Sequence, residues 1–123
     1  LPHYRHIPLE NPAIQIRLLK ATPTLRYNTD LVSHARAPRY NAISHTWGEP
    51  KNNTTIVVDE RPLTVRQNCY DALLQAHRFD RHIYLWIDAI CINQADDEEK
   101  SCQVHRMHDI YLWADHVLAC LGE

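Results

Sequence analysis

The run Ile83-Tyr84-Leu85-Trp86-Ile87, closed by Asp88, constrains this chain more than any other segment. Five apolar or aromatic residues in succession leave no polar face for water. A strand covered on both sides accommodates them, and such strands belong to the parallel centre of an α/β sheet. Extended to Ile92, with Asp88 interrupting it, the apolar stretch is still only about half a membrane span, so no transmembrane segment is expected.

The surrounding pattern agrees with an α/β fold built on one domain over residues 1–123, with 1–13 an irregular lead-in marked by proline. Ile14-Gln15-Ile16-Arg17-Leu18 alternates and reads as a strand at a sheet edge. Ala21 to Pro38 carries Pro, Asn, Thr and Asp and reads mostly as loop. Tyr40 to Thr46 is a second strand, ended by the turn signal Trp47-Gly48-Glu49-Pro50. Thr55 to Val58 and Leu63 to Val65, joined by Asp59-Glu60-Arg61-Pro62, read as a small β-hairpin. A first helix follows, with Thr64 and Gln67 as a capping box. Val65, Cys69, Ala72, Leu73, Ala76 and Phe79 form its apolar face, and Gln67, Asp71 and Arg78 lie opposite. Asp88 to Gln94 continues from the central strand. A second helix, capped by Asp96 with Glu99, runs to about Ala114, and His116 to Leu121 is the next strand. Strand, helix, strand, helix, strand gives an open, mainly parallel sheet with flanking helices. The neighbours expected for Ile83–Ile87 are Tyr40–Thr46 and His116–Leu121.

Composition excludes several functions. Gly48 and Gly122 are the only glycines, where average usage would give roughly nine. A Gly-rich dinucleotide fingerprint and a P-loop are therefore excluded, because both need glycine for close backbone approach to phosphate. Lys and Arg number 13 against 15 Asp and Glu, so no basic excess exists for a dedicated nucleic-acid binder. Cys69, Cys91, Cys102 and Cys120 form no C-x-x-C pair and read as reduced thiols of a cytoplasmic protein. The chain starts at Leu1 rather than Met and reads as a piece of something longer.

Ligands of open α/β sheets bind beyond the carboxyl ends of the strands. Two such ends are polar here: Ser44-His45-Thr46-Trp47-Gly48-Glu49, and Asp88 through Gln94, which includes Asn93. These groups either form a site or cap helices and satisfy loop amides. On the second helix, Glu99, Gln103 and Arg106 fall on or beside the buried stripe of Met107, Ile110, Tyr111 and Ala114. Polar residues on such a stripe point into a cleft or a buried network. The alternative is an internal ion pair of Glu99 with Arg106 or another basic residue. Cys102, His105 and His108 have a tempting metal-ligand spacing. They drift by about 60° per step and lie on the solvent face, so no metal site is expected. A Cys91–His45 nucleophile is conceivable, although a cysteine in an apolar stretch is more often core. Trp47 could stack on a base, and Trp86 reads as core.

The blocks Tyr40-Asn41-Ala42-Ile43-Ser44-His45-Thr46-Trp47-Gly48-Glu49-Pro50, Leu85-Trp86-Ile87-Asp88-Ala89-Ile90-Cys91-Ile92-Asn93-Gln94, and Glu99-Lys100, Gln103-Val104, Met107, Ile110-Tyr111 and Ala114 resemble the fungal heterokaryon incompatibility (HET) domain. They cover roughly residues 14–123, counting the lead-in Ile16 to Leu19. The family commonly has Tyr where His45 stands and Asp where Glu49 stands, and it continues beyond the strand at which this chain stops. The domain thus reads as incomplete at its C-terminus.

The resemblance implies an effector of fungal non-self recognition that triggers heterokaryon incompatibility and programmed cell death. It also implies a TIR-like, flavodoxin-like fold. By analogy with TIR domains that cleave NAD, Glu49, Asp88 and Glu99 would be catalytic carboxylates. Ser44, Trp47, Gly48, Asn93, Gln94 and Gln103 would bind the nucleotide, with NAD as substrate rather than resident cofactor. The rival is a non-enzymatic module that self-associates or recruits other incompatibility or NLR-type proteins. Neither reading involves nucleic acid or a membrane.

Overall fold

The computed structural model describes residues 2–120. Seven strands form one sheet: β1 (Gln15–Ala21), β2 (Tyr27–Ser33), β3 (Tyr40–His45), β4 (Asn53–Val58), β5 (Arg61–Arg66), β6 (Tyr84–Ile87) and β7 (His116–Cys120). The helices are α1 (Gln67–Phe79), α2 (Asp88–Cys91), α3 (Asp97–His105) and α4 (Met107–Leu112), with a 3-10 turn at His34–Arg36. The strand order is β5-β4-β2-β1-β6-β3-β7.

The fold is α/β, but its sheet is mixed rather than mainly parallel. β3 pairs in parallel with β6 and with β7, whereas β1 runs antiparallel to both β2 and β6, and β4 to β5. In chain order the parallel block β6-β3-β7 reads 2-1-3. The chain leaves β3, crosses through α1 to β6 on one side, and crosses through α2–α4 to β7 on the other.

The strand in the run at 83–87 begins at Tyr84, and burial is complete only over its last three residues, Ile83 and Tyr84 being half-buried. Leu85, Trp86 and Ile87 are at most 2% exposed. Its neighbours are β3 and β1. β7 pairs with β3 instead, one place further out, and the expected end of that strand at Leu121 lies outside the described residues. β1 is not an edge strand: β2 covers its whole length from Gln15↔Ser33 to Ala21↔Tyr27, and Leu19↔Leu85 joins it to β6. β2 replaces most of the expected loop between Ala21 and Pro38.

The hairpin forms as expected. Its Asp59-Glu60 turn has φ of 49° and 66°, the left-handed pair that matches the twist of two-residue hairpins. Pro62 sits in β5, which ends the sheet and so loses no ladder bond to the missing N–H.

Helix boundaries moved. Thr64 lies within β5, and α1 starts after Arg66 without a side-chain cap. Its buried face is Cys69, Ala72, Leu73 and Ala76. Val65 belongs to β5, and Phe79 is 56% exposed. The second helix is two: Arg106, at φ -95° and ψ 0°, separates α3 from α4. Asp96 caps α3 by accepting from the Glu99 N–H at 3.1 Å. The other half of the capping box is absent, because the Glu99 side chain turns inward.

Side chains alternate along β3. Tyr40 and Ala42 face α4, where the Tyr40 hydroxyl donates to the Ile110 carbonyl at 2.6 Å. Trp86 meets the Tyr111 ring edge-on at 5.6 Å on the same side. Asn41, Ile43 and His45 face α1.

Candidate functional site

A cavity of about 180 Å³ opens at the carboxyl end of β3 on the α1 side. Its wall includes His45 and Trp47 from the end of β3, Val65 and Arg66 from β5, Cys69 from α1, and Ala89 from α2. β3 and β6 are parallel neighbours, so their carboxyl ends bring the loop after His45 and the start of α2 side by side. His6 of the lead-in closes another part of the wall, its Nε2 at 2.7 Å from the Ile90 carbonyl.

Alternation along β3 turns His45 inward, and its side chain is 1% exposed. The Asp88 carboxylate, 22% exposed, stands 4.0 Å from His45 Nδ1, too far for a hydrogen bond. Neither ring nitrogen of His45 has a hydrogen-bond partner. Burial lowers the His45 pKa from its ordinary 6.5, with the Asp88 charge acting in the opposite direction. Trp47 stacks with His45, rings 6.2 Å apart and 16° from parallel, and the Arg66 guanidinium lies 5.3 Å from the indole centre. Arg66 also donates to the Gly48 carbonyl at 3.2 Å. Gly48 has φ +80°, and a Cβ there would come within 2.6 Å of the Asn68 amide. Glycine therefore folds this loop back onto α1 without backbone strain.

The sequence-derived site residues separate into two groups. Trp47 lines the cavity, and Asp88 stands beside it through His45. Ser44 is exposed on β3 opposite Ala119, and Glu49 is exposed in the turn after Gly48. Glu99 and Gln103 belong to a buried network elsewhere. Arg17 of β1, fully buried, donates from both terminal nitrogens to the Glu99 carboxylate at 3.0 and 3.1 Å. It also donates to the Cys91 and Ile7 carbonyls at 2.8 and 2.7 Å. The Asn93 N–H donates to Glu99 at 2.6 Å. Burial alone would raise the Glu99 pKa, but these hydrogen bonds and the Arg17 charge hold it below the ordinary 4.5. Gln103 Nε2 and Arg106 Nη1 both donate to the Pro12 and Gln15 carbonyls. Gln94 folds back to donate to the Asp88 carbonyl at 2.9 Å. The three carboxylates thus do not line one pocket. The ion pair foreseen for Glu99 forms with Arg17, not Arg106, which instead donates to His34 Nδ1 at 2.7 Å.

Cys91 is no nucleophile partner for His45: burial pushes its thiol, and that of Cys69, up to about 12. A thiolate is the reactive form. Of the suspected metal triplet, His105 and His108 are exposed and Cys102 half-buried. No helix among the described residues is long and apolar enough to cross a membrane.

Sequence reasoning weighed His45 only as a member of a polar strand end and a partner of Cys91, and it passed over the side chains of His6 and Arg66. The signal for His45 was present: it shares the Asn41-Ile43 face of a strand whose other members are buried. Arg66 carried no signal, because its contact with Trp47 depends on the hairpin folding back.

Comparison with known proteins places these elements. The profile of the family described as heterokaryon incompatibility protein (HET) matches residues 40–123. The Neurospora crassa protein named heterokaryon incompatibility protein 6, OR allele, is 37% identical over 138 aligned positions. The match covers 97% of this chain and 20% of that relative, so the chain spans about one fifth of its length. No solved structure matches the chain. Both β3 and β6, and hence His45, Trp47 and Asp88, fall inside the matched segment: the chain belongs to the HET family.

Proposed function

We propose that this chain is an effector domain of fungal heterokaryon incompatibility that triggers programmed cell death, an innate-immune response acting in the cytoplasm of fused cells. The observation that carries the reading is the gathering of His45, Trp47 and Asp88, from two separate signature blocks, around one cavity at the carboxyl ends of parallel strands. The 2-1-3 order of the parallel block supports a TIR-like, flavodoxin-like ancestry.

The chemistry best matched to this site is TIR-like cleavage of NAD. Water replaces nicotinamide at the ribose carbon, the glycosidic electron pair leaves with the nicotinamide ring as a neutral group, and the water gives up its proton. The oxocarbenium-like transition state needs a carboxylate. Asp88 is the member of the original three that stands beside the cavity. Trp47 supplies the indole for a base or ribose face. Glu49, in the exposed turn, takes the outer end of the ligand, whereas Glu99 acts by holding α2 and α3 together.

The test is expression of the domain in fungal cells with cell death and NAD measured together. Asp88→Asn and Trp47→Ala should abolish both while circular dichroism stays that of the parent. A second reading, recruitment of partner proteins or self-association, draws on the exposed apolar side chains Leu112, Trp113 and Val117 beside the β7 edge. Cell death at constant NAD decides for recruitment.

A further inference from the structure

Buried polar atoms in folded proteins are almost always paired. His45, a wall residue of the cavity, breaks this rule at both ring nitrogens. Its protonation pattern follows from Asp88. An ionised carboxylate only accepts hydrogen bonds, and a neutral imidazole carries its proton on one nitrogen alone. With Asp88 Oδ1 4.0 Å from Nδ1, a proton on Nδ1 points a positive N–H end at the carboxylate. The other tautomer sets a lone pair against a negative charge. The proton therefore resides on Nδ1, and Nε2 keeps its lone pair.

His6 is fixed in the same sense. Its Nε2 meets the Ile90 carbonyl at 2.7 Å and must be the donor, so the bare nitrogen is Nδ1. Neither imidazole then has a proton to offer the cavity. Leu63, Val65 and Ala89 supply apolar wall, Thr64 is an exposed member of the lining, and Arg66 is engaged by the Trp47 ring and the Gly48 carbonyl. The volume of about 180 Å³ suits a single ring, since a protein cavity of about 150 Å³ takes benzene.

We infer that this cavity binds a small uncharged aromatic ring bearing an O–H or N–H donor, with His45 Nε2 as acceptor and Asp88 as the positioning residue that sets the tautomer. The inference shares its cavity with the proposed function but none of its reaction, so direct binding decides it whatever the fate of NAD cleavage.

Phenol, its methyl ether anisole and pyridine are titrated into the protein by calorimetry, and the His45 tautomer is read from ¹⁵N–¹H correlation spectra. Wild type should show the Nδ1–H form. It should bind phenol roughly tenfold more tightly than anisole or pyridine, the loss expected when a buried acceptor stays unpaired. Asp88→Asn can turn an amide N–H toward Nδ1, which moves the ring proton to Nε2. Pyridine should then overtake phenol. Equal affinity for phenol and anisole, no binding of phenol, or an Nε2–H tautomer in wild type overturns the inference. So does an unchanged ligand order in a folded Asp88→Asn variant, and the wild-type spectrum decides alone if that variant fails to fold.

Discussion

Two clusters of buried polar groups meet at the short helix α2, and they are satisfied to opposite degrees. At its C-terminal end, Arg17 and Glu99 exchange two hydrogen bonds, and the Cys91, Ile7 and Asn93 main chain takes up much of what remains. At its N-terminal end, His45 makes no hydrogen bond, and Asp88 stops 4.0 Å short of it. Both clusters contain an acid and a base, and of the four only Asp88 reaches water, at 22% exposure. One has most of its hydrogen bonds made, Arg17 Nε excepted, and holds elements in place; the other has none made at His45 and keeps capacity for a ligand. The polarity of a buried residue therefore says little about its role until its partners are counted.

The comparison breaks most visibly at Glu99. Glu99→Ala leaves the Arg17 charge buried without its carboxylate, which should cost about 3–5 kcal/mol in denaturant unfolding. An unchanged midpoint would remove Arg17–Glu99 from the structural class. The same pair sets an acid limit. The folded pKa of Glu99 lies below its ordinary 4.5, so the unfolded chain takes up the proton first. Stability from this group is present above 4.5 and is lost as pH falls through the folded value. The acid-induced slope should shrink in Glu99→Gln.

Gly48→Ala should cost about 1–2 kcal/mol for the left-handed backbone alone, plus the encounter with Asn68. Adding Asn68→Gly should recover the second part and leave the first, as thermal unfolding of the double variant would show. Tyr40→Phe removes a hydrogen bond to the Ile110 carbonyl and a partner of His34, for about 1 kcal/mol or somewhat more.

The smallest effect is expected at His45. His45→Phe replaces an unpaired buried ring by an apolar one of similar shape. It should leave stability unchanged or raise it by up to about 1 kcal/mol while abolishing phenol binding, the pattern of a residue kept for function. A loss as large as that at Glu99 would place both clusters in the same class.

The sequence made the parallel block legible because apolar runs report burial directly. Ile83–Ile87, Tyr40–His45 and the inward stripe of α1 depend on that signal alone. The placement of Glu99 and Gln103 came from helical phase, which is equally local. β2 was illegible because Tyr27-Asn28-Thr29-Asp30 reads as turn chemistry. Its strand exists through register with β1 and through Asp59, whose carboxylate accepts from the Thr29 N–H at 2.8 Å. Arg17 misled for a related reason. In Ile16-Arg17-Leu18 it imitates the solvent-facing member of an alternating strand, and only the lead-in and α3, distant in sequence, cover it. The cavity was half legible: Trp47 and Asp88 were singled out, but the hairpin and His6 that enclose it come from parts of the chain without a ligand signal.

The lead-in has one more consequence. The Tyr4 N–H donates to the Pro62 carbonyl, His6 reaches Ile90, and the Ile7 carbonyl receives Arg17, whereas the family profile begins only at residue 40. A boundary drawn from family likeness would cut away β1, β2 and the segment before them. It would bare the β6 edge to intermolecular strand pairing and strand Glu99 without its counter-charge. The family profile and the unit that folds are different lengths of this polypeptide: residues 2–39 belong to the second, and the Neurospora relative, aligned over 97% of the chain, extends into them as well.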